Sequence, residues 1–128
     1  MAQPVEITDV AQGVAEFGPL ATLVTVTEGG APHVGSVLVA VDDGHLAVSV
    51  GSRTRANIRS NHAVTLAWLP DHADYQLIVD GNAVTSDEPT DDGLFAVRID
   101  VERGILHRVA GRTEAGPSCV PLTHRSTA

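Results

Sequence analysis

Gly51-Ser52-Arg53-Thr54-Arg55-Ala56-Asn57-Ile58 stands between two strand-like runs, His45 to Val50 before it and Ala63 to Leu69 after it. A strand that breaks at glycine and enters a helix through serine makes an anion site. The Ser52 hydroxyl can cap the helix, the first backbone N–H groups point outward without partners, and the helix dipole favours negative charge there. Arg53 and Arg55 add permanent cations whose forked donors suit a phosphate. In a chain of formal net charge -8 that cationic cluster is a local feature. A capped surface helix with solvated arginines has the same spelling, so the surrounding elements have to decide between the two.

Upstream, Thr8 to Gly18 has helical spacing. Thr8 or Asp9 can cap it, Val10, Val14 and Phe17 form one apolar stripe, and Gly18-Pro19 ends it. Leu20 to Thr27 is rich in β-branched residues and runs into a turn at Glu28-Gly29-Gly30-Ala31. Pro32 to Val41 reads as a second strand, Asp42-Asp43-Gly44 as a hairpin turn, and His45 to Val50 as a third strand. Downstream of the helix, spanning Ser52 to about Asn61, Ala63 to Leu69 is a fourth strand stopped by Pro70. Tyr75 to Thr85 is a long fifth, with Gly81 marking a bulge or a close backbone approach. An acidic loop, Ser86 to Gly93, precedes two last strands, Leu94 to Val101 and Ile105 to Ala110, that meet across Glu102-Arg103-Gly104. The sequence predicts one domain over residues 1–128, with its core at about 8–110 and an irregular tail at 111–128.

Several of these strands are apolar on both faces. Val37-Leu38-Val39-Ala40-Val41 and Leu77-Ile78-Val79 need cover on each side. A small mainly β fold, an antiparallel barrel with short helices, fills its interior with one face and covers the other with helices or a second copy. A β-sandwich competes, but the helix inserted between the third and fourth strands counts against it.

Composition removes several classes of function. Eight arginines with no lysine exclude a Schiff-base lysine. The acidic balance and only four aromatic residues (Phe17, Trp68, Tyr75, Phe95) argue against a nucleic-acid partner. No apolar run approaches the ~20 residues that span a bilayer, so no membrane partner is expected. One cysteine, Cys119, and an N-terminus without a signal-peptide pattern lead us to expect a cytoplasmic protein. Six histidines raise the question of a metal, yet His62, His72 and Asp74 lack ligand spacing, so no metal site is expected. His33 is a candidate proton donor that more simply decorates its strand, and Trp68 and Tyr75 read as packing residues. No Gly-x-Ser-x-Gly elbow supports a serine hydrolase.

The run from Gly51 to Val84 resembles the core of the pyridoxamine 5'-phosphate oxidase family of FMN-binding split barrels. The family's Gly-Ser-Arg-Lys helix entry reads Gly51-Ser52-Arg53-Thr54 here. Its Asn-x-x-Val-x-Leu strand reads Asn61-His62-Ala63-Val64-Thr65-Leu66, and its Gln-led strand reads Gln76-Leu77-Ile78-Val79-Asp80-Gly81. Ala21 to Val26, the glycine turn and Pro32-His33-Val34 are similar to its opening hairpin. The resemblance implies an antiparallel split β-barrel of six to seven strands and a homodimer holding FMN at the two-chain interface. Hydride would pass between the flavin and a nicotinamide cofactor or other small-molecule substrate. Carried over, Ser52 and Arg53, with Thr54 and Arg55 beside them, meet the phosphate. Gln76 bonds near the ring, and the main chain of Ser36, Val37, Val48 and Ser49 lies beside it. The family's cations fall at Thr54, Gly35 and Ala40, and each charge-assisted bond lost is worth ~1.5–3 kcal/mol. A deazaflavin-dependent reductase, or a non-catalytic flavin- or haem-binding module, is therefore the alternative. The family's Arg-x-His substrate motif is missing, so oxidation of vitamin B6 is not expected.

Overall fold

Alternation of buried and exposed positions builds the sheet, as in Leu20–Val26, where Ala21, Leu23 and Thr25 turn inward. The computed structural model describes residues 7–70, 75–109 and 119–122. Its elements are α1 (Ile7–Phe17), β1 (Leu20–Val26), β2 (Pro32–Leu38), β3 (Ala40–Asp42), β4 (His45–Val50) and α2 (Ser52–Ser60), then β5 (Ala63–Ala67), β6 (Tyr75–Thr85), β7 (Phe95–Arg108) and β8 (Cys119–Pro121). All pair antiparallel in one eight-stranded sheet of order β2-β1-β5-β6-β7-β4-β3, with β8 on β7. The sheet curls into a half-barrel. Its interior holds Leu23, Leu46, Leu66, Leu77, Val79 and Ile99. No helix among the described residues is long and apolar enough to cross a membrane.

Four details differ from the sequence expectation. The run Pro32 to Val41 is two strands, because β2 pairs with β1 and β3 with β4, at opposite ends of the sheet order. Val39 makes the crossing and donates its N–H to Pro19 O at 2.7 Å. The last two expected strands are one strand of 14 residues. Glu102-Arg103-Gly104 does not turn. The register passes from Asp80↔Arg103 to Gly81↔Val101, leaving Glu102 as the extra residue of a bulge. Within the expected irregular tail, Cys119–Pro121 pairs with β7 and Leu122 is buried under Gly104. Finally, α1 is already under way at Ile7, so Thr8 and Asp9 lie inside its first turn rather than capping it.

Two contacts aim α2. Ile58 is fully buried in the core cluster, and the Asn57 side-chain amide donates to the Thr25 hydroxyl on β1 at 3.1 Å. Thr25 and Asn57 are the buried polar residues among the described residues, in an otherwise apolar interior, so their bond fixes how the helix sits on β1. Gly81 supplies the other constraint. A Cβ there would lie 2.7 Å from the Asp100 carbonyl oxygen and 2.6 Å from an Ile99 methyl.

Gly81→Ala is therefore expected to cost ~2 kcal/mol or more in chemical denaturation, because main chain cannot step aside cheaply. Gly35→Ala, where a Cβ meets nothing within 4 Å, is the matched control and should cost under ~1 kcal/mol. Asn57→Ala, which strands the buried Thr25 hydroxyl, should cost ~1–3 kcal/mol by the same measurement.

Candidate functional site

The curled sheet brings its first strand, β2, against β4, the inner neighbour of its last strand β3. β2 and β4 lie in contact but are not ladder neighbours, and α2 starts at the top of this seam. Gly51 is the N-cap, extended at φ -78 and ψ 177, and contributes no side-chain cap. Ser52 is thus the first helical residue, which corrects the expectation that its hydroxyl caps the helix. The first intrahelical bond runs from Arg55 N–H to Gly51 O at 3.0 Å. The amides of Ser52, Arg53 and Thr54 precede it and have no intrahelical acceptor.

Gly51 and Thr54, on either side of Ser52 and Arg53, line a hollow of about 220 Å³ together with Gly35, Ser36, Val37 and Ser49, among others. The hollow continues into a cleft of about 590 Å³, which shares Ser36, Val37, Ser49 and Leu94 with it and extends past Val48, Ala47, Ala96 and Asp92. The walls are small or apolar, and Gly35 and Gly51 leave open space where side chains would stand. Asp92 is the charged side chain in the lining. The Thr90 hydroxyl and, more weakly, the Leu94 backbone N–H bond to its carboxylate and hold it below the usual carboxylate range, so it is ionised at neutral pH.

Of the residues singled out from sequence, Ser36, Val37, Val48, Ser49 and Thr54 converge on this one cleft. Ser52 and Arg53 are exposed at the helix start beside it. Arg55 turns away: its Nε and Nη2 donate to the carbonyls of Ser86 and Asp87, both at 3.1 Å, and its guanidinium sits 4.3 Å from the Phe95 ring centroid. Gln76, the second residue of β6, pairs with His107 and is not among the residues lining the cleft. Leu94 and Asp92 are lining residues that sequence reading missed, because an acidic loop reads as a solvated turn. Their one signal was position, directly before a strand that pairs with β4.

Two of the remaining candidates, Trp68 and His62, have structural employment. The Trp68 indole N–H donates to Gly18 O at 2.8 Å from a buried position, and His62 Nδ1 bonds Ala83 O at 3.0 Å. His33 faces Thr25 across the β1–β2 ladder, with its Nδ1 buried and without a partner among the described residues. Cys119 is exposed, and His72 and Asp74 lie outside the described residues. Among the described residues no three His, Cys, Asp or Glu side chains converge.

Known proteins agree with this architecture. A curated relative, uncharacterized protein Mb0449c of Mycobacterium bovis, is 36% identical over 120 residues, covering 85% of this chain and 84% of its own. A Clostridium acetobutylicum structure, described as related to general stress protein 26 of B. subtilis and of the pyridoxinephosphate oxidase family, superposes with TM-score 0.63 at 16% identity. It covers 77% of this chain and 86% of its own. HutZ, a haem storage protein from Vibrio cholerae, gives 0.60 at 16% identity over 76% and 90%. An F420 reductase gives 0.55 at 22% identity over 67% and 89%. At such identities the structures report the fold alone, whereas the pyridoxamine 5'-phosphate oxidase family model matches residues 7–114. The chain belongs to the pyridoxamine 5'-phosphate oxidase family.

Proposed function

We propose that the chain binds FMN along the β2–β4 cleft and works as a homodimeric flavin-dependent oxidoreductase on a small organic molecule or a nicotinamide cofactor. The observation that carries this reading is the placement of the α2 start, with three amides that lack an intrahelical acceptor and with Arg53, beside a cleft of small and apolar residues whose one charged lining side chain, Asp92, is on the wall away from the helix. An elongated molecule with one anionic end and a flat, weakly polar body fits such a site. The amides of Ser52, Arg53 and Thr54 take the phosphate, assisted by the Arg53 guanidinium and the helix dipole. The main chain of Ser36–Val37 and Val48–Ser49 flanks the ring, and the apolar walls keep water from it. When bound, the flavin supplies hydride exchange at N5, and the protein's share is placement and electrostatic tuning.

The homodimer has its own support. Leu20, Leu38 and Leu69 are 62%, 68% and 83% exposed, and Leu20 stands opposite Leu38 in the β1–β2 ladder. Leu20 and Leu69 border one hollow of about 320 Å³ on the outer face. Apolar surface of this kind gains from burial against a second copy. Because Gln76 lies away from its own chain's cleft, its family role at the flavin is assigned to the cofactor of the other copy. A second reading, a flavin-binding module that turns nothing over, is favoured by the thin cation set: Thr54, Gly35 and Ala40 carry no charge and Arg55 is committed elsewhere. Haem is disfavoured, since the described lining offers no His, Cys, Met or Tyr to hold iron.

Titration with FMN and with riboflavin separates the phosphate from the ring. Arg53→Ala should weaken FMN about tenfold or more while leaving riboflavin nearly unchanged; equal losses overturn the phosphate assignment at Arg53, and no binding of either flavin by the parent protein ends the flavin reading. Reduction of a dye or quinone by a nicotinamide in the presence of the loaded protein eliminates the inert module. Sedimentation should give a dimer, and Leu38→Glu a monomer with the fold intact; a monomeric parent chain rejects the homodimer.

A further inference from the structure

Arg55 looks like a phosphate ligand in the sequence, four residues into α2 and two after Arg53, but its side chain does different work. One guanidinium reaches both ends of the loop that joins β6 to β7. Nε and Nη2 donate to the carbonyls of Ser86 and Asp87, which open the loop, and the planar group lies over Phe95, the residue that closes it. Between those anchors the chain turns back on itself, with Thr90 N–H donating to Leu94 O and Gly93 N–H to Thr90 O. The returning residues, Asp92 and Leu94, form the cleft wall facing β2. The loop also carries Asp87, Glu88, Asp91 and Asp92, so without a nearby cation its carboxylates repel one another.

We propose that Arg55 is a positioning residue that straps the 86–94 loop to α2 and thereby holds the cleft wall at the ring end of the ligand. The proposal rests on the flavin reading for its ligand and on the structure alone for the strap. A charge near the phosphate would act on the anionic end only, and any cation would serve. A strap needs the fork and the flat face of arginine, which lysine lacks: an ammonium is a compact point charge that cannot hold two carbonyls and stack on a ring together. Loosening the wall affects the part of the ligand that lies along it, with or without a phosphate attached.

The test compares Arg55→Lys and Arg55→Ala in the full chain, with Phe95→Leu as a milder variant that removes the stacking alone. Hydrogen–deuterium exchange of the ligand-free protein should speed up about tenfold at the Gly93 and Leu94 amides in both arginine variants, while α1 and β1 keep their protection. Phe95→Leu should show a smaller increase in the same place. FMN and riboflavin affinities should fall by the same factor, with lysine no better than alanine. Unchanged exchange at 93–94, or a loss confined to FMN and restored by lysine, overturns the strap. If the parent protein binds neither flavin, the flavin reading fails on its own, and the exchange data still decide whether Arg55 holds the loop.

Discussion

The site exists because the sheet comes round without closing. A single antiparallel sheet twists as it grows and, over this many strands, its ends approach each other. Here β2 and β4 meet but do not pair, and the gap between them is the cleft. The crossing at Val39 makes this possible, since one continuous stretch of chain leaves the β1 ladder and joins the β4 ladder with a single residue between. The bond from Val39 N–H to Pro19 O satisfies the amide that neither ladder can use.

On that seam α2 is set by contacts below it and used by whatever lies above it. Ile58 and the Asn57–Thr25 bond seat the helix on the barrel interior, while the first-turn amides are left open. The same helix projects its two early arginines in different directions. Three positions apart around a helical turn is a shared face, whereas two apart is not, so Arg53 and Arg55 could never act as one cationic clamp. One meets solvent at the cleft head and the other grips the β6–β7 loop.

The departures from the sequence reading have a common origin in pairing. Glu102-Arg103-Gly104 has the composition of a turn, yet β6 is long enough to pair on both sides of it, and a one-residue bulge absorbs the mismatch more cheaply than a break. Cys119–Pro121 carries no strand signal of its own and is a strand because β7 offers it an edge, with Leu122 entering the core beside Gly104. Ser52 was a reasonable cap by residue type, but β4 runs extended through Gly51, and that places the cap one residue earlier.

Residue order alone determined most of the element types, the family, and the segments that converge on the cleft: Ser36–Val37, Val48–Ser49 and the α2 entry. The elements follow from local periodicity and glycine turns, while the family and the cleft segments follow from the resemblance of the Gly51–Val84 run and the opening hairpin to the family's motifs. Only the tertiary structure decided that Arg55 faces the loop carbonyls, that Asp92 and Leu94 wall the cleft, and that Gln76 lies off it. Each of these depends on which strands become neighbours in a curled sheet. That choice is made by burying the apolar faces of distant segments together, and no short stretch of sequence records it.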